Sequence, residues 1–236
     1  MPYRAVMSTQ SSNISGRTAV DLYLITWTSG VMDALSYVRA HVFTANMTGN
    51  TVILGLAVVG TGRARFFDSL LAIATFAAGV LIAGAVLVRI RQPRSADDLR
   101  LGTCLETPFL ILFAVLWAMF PSRGPYWVPA ALISSAACAL GIQSVAARRL
   151  KISGVVTTFI TGTMSTTIVS LLERREPGAV TAKEAQTSPL LLAGMFFLYI
   201  GAALAGGVLA EIKSPLAGAG AAAPALLVLI RSLRRA

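Results

Sequence analysis

Chemically useful side chains are scarce in this sequence. It has one histidine, two cysteines and ten acidic residues, and only 13% of its 236 positions are charged. No apolar stretch pairs a serine with a histidine, or one aspartate with another, at helical spacing. An HExxH motif is absent, as is a phosphate-binding glycine-rich loop. The chain is therefore expected not to be an enzyme, and ATP-driven transport would need another subunit. Cys104 and Cys138 show neither CxxC nor Cys/His spacing, which argues against a disulfide framework or a zinc site. No metal and no cofactor is expected. The polar tail, residues 1–17, lacks the apolar core of a signal peptide, so the first apolar segment is expected to act as its own insertion signal.

Apolar residues, in contrast, are abundant. They make up 56% of the chain, and the mean hydropathy of +0.73 lies above the soluble range. They fall in eight blocks, at 18–38, 42–60, 69–88, 107–120, 127–147, 152–172, 189–210 and 216–230. Most approach the roughly 17–25 residues that cross a bilayer as a helix. A net charge of +10 would suggest nucleic acid in a soluble protein. Here the arginines sit mostly between apolar blocks, where charge sets membrane topology, and no basic face carries interleaved aromatics. The expected partners are the lipid bilayer and a small solute or ion, with no nucleic acid. A second copy of the chain, in a homo-oligomer, is the protein partner left open.

Within the second block stands an anomalously polar run, Thr44, Ala45, Asn46, Met47, Thr48, Gly49, Asn50 and Thr51. Uncompensated amides are costly in hydrocarbon, so such groups normally face a protein interior or a water-filled cavity. A weaker echo occurs at 157–163, where Ile160, Thr161 and Gly162 match Met47, Thr48 and Gly49 at an offset of 113. Gly30 to Asp33 likewise echoes Gly141 to Ser144, and the segment from Gly79 to Gly84 echoes that from Gly201 to Gly206. The order is preserved, which suggests one membrane domain built of two repeats, 18–121 and 122–236, behind a cytoplasmic tail.

Eight blocks suggest eight spans, yet the motif blocks are short of apolar length. After Thr51 only residues 52–59 are continuously apolar, about 12 Å of helix against a hydrocarbon core of ~30 Å. Charge counting separates the alternatives. With eight spans and parallel halves, the N-terminal side holds 11 Lys and Arg and the other side 9. If both motif blocks re-enter, six spans remain and the split becomes 15 against 5. The positive-inside rule favours an all-α membrane protein of six spans and two re-entrant helices, with inverted halves and both termini cytoplasmic. Eight spans is the alternative.

The candidate substrate or ion pathway comprises Asp33, Asn46, Thr48, Gly49, Asn50, Thr51, Gln143, Thr161, Gly162 and Thr163. Asn46, Gly49 and Asn50 fall at i, i+3 and i+4, so one helical face would carry them. Interhelical glue of about 1 kcal/mol per bond is the structural alternative. Asp33 reads as the only acid well inside a span, which makes it a proton or cation site or else a partner for Arg39 or the motif amides. Gln143 is read as the neutral counterpart of the Asp33 region in the second half. Asp21 is read as interfacial, and His41 as an interfacial residue beside Arg39. The paired glycines at 79/84 and 201/206 are read as sites of close helix packing.

Gly30, Asp33 and Ala34, the Asn46–Thr51 block with Leu54 and Gly55, and Gly141 and Gln143 followed by Arg148, Arg149 and Leu150 together resemble the YoaK-like family of bacterial membrane proteins. Thr157, Thr158, Thr161, Gly162 and Thr163 extend the likeness over essentially the whole chain. The resemblance implies a multi-pass inner-membrane protein of about six spans and supplies no substrate. One departure is Ser144, where the family carries an amide after the glutamine. A membrane transporter or channel is the expected function. The competing expectation is a membrane protein that transports nothing, such as a scaffold, assembly or stress-related partner.

Overall fold

The computed structural model describes residues 16–61, 63–88, 95–122, 124–150 and 189–234, with the isolated positions 165 and 168. The expected second motif, with Thr161, Gly162 and Thr163, lies outside the described residues. Seven α-helices are found among the described residues and no strand: α1 (Gly16–Ala40), α2 (Met47–Leu56), α3 (Arg63–Val88), α4 (Ser95–Met119), α5 (Val128–Arg149), α6 (Pro189–Glu211) and α7 (Ala217–Leu233). Four of them, α3 to α6, contain stretches long and apolar enough to cross a membrane. At 25 residues α1 is also long enough, but two aspartates interrupt it. The 17-residue α7 and the 10-residue α2 are shorter.

One expected segment changes most. The block at 107–120 is the end of a 25-residue helix that begins at Ser95. Asp97, Asp98 and Arg100 make its first turns look like loop, yet helical hydrogen bonding continues through them, and Pro108 stands inside the helix. Proline is tolerated in membrane helices because neighbouring groups re-satisfy the freed carbonyl.

Packing fixes the direction of each helix. Tyr23 meets Gly194, Gly30 meets Tyr199 and Ala203, and Val31 meets Gly206, so α1 and α6 run parallel. Ala72 clusters with Ile133, and Ala83 and Leu87 cluster with Cys138 and Ile142, which makes α3 parallel to α5. Gly102 lies over Ala146, so α4 opposes α5. At the other end Arg39 of α1 donates to the Ser122 carbonyl between α4 and α5. Arg231 pairs with Asp21 at 3.1 Å, which sets α7 against α1. Thus α1, α4 and α6 run one way while α3, α5 and α7 run the other. Both the first residues of α1 and the last of α7 lie on one side of the bundle, and α5 ends on the side where α6 begins.

The core lies among α1, α4, α5 and α7, around Met32, Leu35, Phe113, Trp117, Leu140 and Ala221. The outer faces of α3 and α6 expose Phe67, Leu81, Phe197 and Leu204. Small residues dominate the contacts, as expected where association depends on close approach rather than on hydrophobic transfer. A Cβ at Gly141 would collide with the Phe76 carbonyl, and one at Gly79 with the Cys138 carbonyl. One at Gly30 would come within 2.7 Å of the Tyr199 carbonyl. Of the glycine pairs expected to pack closely, Gly79 and Gly206 do so, whereas Gly84 and Gly201 have nothing within 4 Å.

A candidate site where a broken helix restarts

The polar run folds around the end of α1. His41 takes a left-handed conformation (φ 58°), and its N–H still reaches the Tyr37 carbonyl at 2.8 Å. That geometry ends a helix and turns the chain back. The His41 ring packs edge-on to Tyr37, which stacks on Phe43. Val42, Thr44 and Ala45 are buried, so this short loop enters the bundle instead of leaving it.

Asp33 receives the loop. Its Oδ1 accepts the backbone N–H groups of Thr44 at 2.7 Å and Ala45 at 2.6 Å. The Thr44 hydroxyl lies 3.4 Å from the same oxygen, and Ser36 donates to that hydroxyl at 3.5 Å. Oδ2 accepts the Tyr199 hydroxyl at 2.5 Å. One buried carboxyl therefore joins α1, the loop and α6. A backbone N–H left unpaired at this depth would cost about 1–3 kcal/mol, so the acid explains how an irregular segment is held there.

Each remaining position of the motif has a local role. Asn46 caps α2, its Oδ1 accepting the Gly49 N–H at 3.2 Å. Asn50 is fully buried and doubles back on the loop, accepting the Phe43 N–H at 2.8 Å and donating to the Phe43 carbonyl at 2.6 Å. Gly49 leaves room for the Phe43 ring, which a Cβ would meet at 2.8 Å. Thr51 bonds to the Met47 carbonyl one turn back. Asn46, Thr48 and Thr51 are exposed. Asn46, Gly49 and Asn50 therefore do not form a common ligand-facing surface: the first is a cap, the second clears a ring, and the third is a staple. Beyond α2 the chain widens to a π-helical turn, Ala57–Thr61, where Gly60 at φ 116° allows the turn into α3.

Gln143 sits elsewhere. Its amide nitrogen donates to the Ile25 carbonyl at 3.0 Å and to the Ser29 hydroxyl at 2.9 Å, one to two turns along α1 from Asp33. Two expectations are corrected by these contacts, and a third residue gains a partner. Arg39 is not the partner of Asp33. Asp21, near the start of α1, is buried in the bundle and paired with Arg231 rather than open to solvent. Asp33 is not the only acid inside a helix, because Glu106 in α4 is just as buried. Tyr199 and Glu106 escaped the sequence reading. A tyrosine in an apolar helix looks like packing, and Glu106 stands at the edge of a polar stretch.

Residues 22–232 match the family DUF1275, described as a protein of unknown function. The chain is also 36% identical over 153 residues to the UPF0700 transmembrane protein YoaK of Bacillus subtilis (strain 168). That alignment covers 64% of this chain and 64% of the relative, so less than two thirds of the relative's length is spanned. No solved structure matches.

Proposed function

The chain belongs to DUF1275, a family of unknown function whose YoaK-like members are membrane proteins, and we propose that it moves a small solute or ion across the bacterial inner membrane. In this proposal α1, α3, α4, α5, α6 and α7 cross, α2 re-enters, and both termini are cytoplasmic. The supporting observation is the position of α2. Its 10 residues and the five of the π turn total about 22 Å of rise, less than the ~30 Å core. The helix begins beside Asp33, more than a turn inside the end of α1. Discontinuous helices that start at membrane depth are a recurrent element of transporters.

Inverted repeats are supported by matched contacts. Gly30 of α1 faces Tyr199 and Ala203 of α6, while Gly141 of α5 faces Phe76 and Val80 of α3. The first pair of helices belongs to one direction and the second to the other. A further echo joins α4 and α7, each of which carries a glycine six residues before an internal proline: Gly102 and Pro108, Gly218 and Pro224. The two halves are tied unequally, since Asp33 bonds to Tyr199 across helices whereas Ser144, which stands where Asp33 does relative to Gly30 and Gly141, bonds back to the Gly141 carbonyl. In this reading the Asp33–Tyr199 bond is the link between halves that opens and closes, and the exposed Asn46, Thr48 and Thr51 are the surface left to meet a solute. The partners are the bilayer and that solute or ion, and no catalysis is assigned.

A second reading is favoured by one observation: Asp33 and Asn50 spend their hydrogen bonds inside the chain, as a structural scaffold would. A thermal-shift and proteoliposome flux screen of small solutes separates the two. Wild type should be stabilised by its solute and conduct it, whereas Asn46→Ala and Asp33→Asn should lose both responses at least tenfold. Stabilisation that survives both substitutions removes the site.

A further inference from the structure

Among the described residues, the centre of the bundle holds acceptor oxygens that no donor meets. Both carboxyl oxygens of Glu106 are buried without a hydrogen-bond partner, and so is Oε1 of Gln143. Glu106 is 1% exposed and Gln143 2%. The register brings them to one level. Gly102 lies over Ala146 in the antiparallel α4–α5 pair, so one turn further along α4 Glu106 stands level with Ile142 and Gln143. Gly218 of α7 meets Ala114 and Trp117 of α4, so the buried residues of antiparallel α7 nearest this level are Ala225 and Val228, neither of which offers a hydrogen-bond donor.

Among the described residues, the nearby amide and hydroxyl donors are committed elsewhere. Both N–H groups of Gln143 go to Ile25 and Ser29. The Ser29 hydroxyl donates to Ile25, that of Ser144 to Gly141, that of Thr103 to Leu99 and that of Thr107 to Thr103. A hydroxyl has a single proton to give. Three acceptors facing no donor are strongly unfavourable in a low-dielectric interior. One added proton on Glu106 converts the arrangement into a donor–acceptor pair.

We propose that Glu106 and Gln143 form a proton-binding site at the core of the bundle, with the Glu106 carboxyl donating to Gln143 Oε1. The site is separate from the Asp33 loop and stands whether or not the chain transports a solute. Among the described residues, charged groups on the surrounding helices lie along the bundle rather than at this level. The Asp21–Arg231 pair of α1 and α7, Arg100 of α4, and Arg148 and Arg149 of α5 lie towards the side of the chain ends. Asp33 of α1, with Arg65 and Asp68 of α3, lies towards the other. Cys138 of α5 is the thiol one turn away. The polar face of α1, with Asp21, Ser29, Asp33 and Ser36, passes the site, so a proton held there has neighbours in both directions.

Infrared difference spectroscopy on the full chain in lipid nanodiscs tests the assignment. Subtracting the Glu106→Gln spectrum from wild type at neutral pH should isolate one protonated carboxylic C=O band that shifts in D2O. Gln143→Leu should move that band to higher frequency, because its acceptor is gone. Glu106→Gln carries its own N–H for Gln143 and is expected to elute and melt like wild type, so loss of the band would not reflect unfolding. Absence of a band in the difference overturns the proposal, as does a band unmoved by Gln143→Leu. A band abolished by sodium or potassium chloride, with choline chloride as control, also overturns it, because the occupant is then a metal cation.

Discussion

Asp33 combines two roles that substitution separates. Its carboxyl holds two backbone N–H groups of the entering loop and the hydroxyl of Tyr199. Asparagine keeps an oxygen for the loop and offers an N–H towards Tyr199, so Asp33→Asn should fold with a loss below about 1 kcal/mol. Alanine strands both N–H groups, and Asp33→Ala should cost about 2–5 kcal/mol or fail to fold. Tyr199→Phe should cost only about 1 kcal/mol, the usual worth of an interhelical bond in a membrane, because phenylalanine keeps the ring and loses only the hydroxyl that Asp33 accepts. Denaturant melts of the three variants in detergent give the order, and an Asp33→Ala melt matching that of Asp33→Asn would refute the loop-holding role. Asp33, Asn50 and Gln143 were legible in the sequence because polar groups in apolar runs need a reason. The partners were not legible: Tyr199 lies 166 residues from Asp33, and nothing in its apolar surroundings marks the hydroxyl as used.

Helix boundaries were legible where hydropathy and hydrogen bonding end together, as in α1, α5 and α6, and were missed where they part. In α4 the helix begins twelve residues before the apolar block at 107–120, which moved Glu106 from a loop edge to the core. In the motif, polarity marked a break in the helix, while the identity of each residue was set by the loop it closes. Glycines show the same limit, since sequence lists them without saying which face a neighbour. Gly141→Ala would press a methyl into the Phe76 carbonyl, and overpacking of this kind costs about 1–3 kcal/mol. Gly84→Ala meets nothing and should gain up to about 1 kcal/mol from helix propensity. Opposite shifts in melting temperature check both, and equal shifts would mean that the α3–α5 contact is not close.

For the whole molecule, the consequence of a re-entrant α2 is where the chain surfaces. The helix directions put the start of α3 and the turn between α6 and α7 on the side of Arg39 and Ser122. They put Arg234 on the side of the first residues of α1. In the proposed topology the first of these sides is periplasmic, since it would carry 5 of the 20 Lys and Arg in the six-span arrangement. An eight-span arrangement shares the position of Lys213 and inverts that of residue 63. Single cysteines are therefore introduced by Arg63→Cys, Lys213→Cys and Arg234→Cys in a background lacking Cys104 and Cys138. A membrane-impermeant maleimide added to intact cells should label the first two, and Arg234→Cys only after the membrane is opened. Labelling of Lys213→Cys without Arg63→Cys would show that α2 crosses, and with it the inverted relation of the halves would fall. Labelling of both means that the loop held by Asp33 returns to the side it came from, which gives this small bundle a helix that begins inside the membrane.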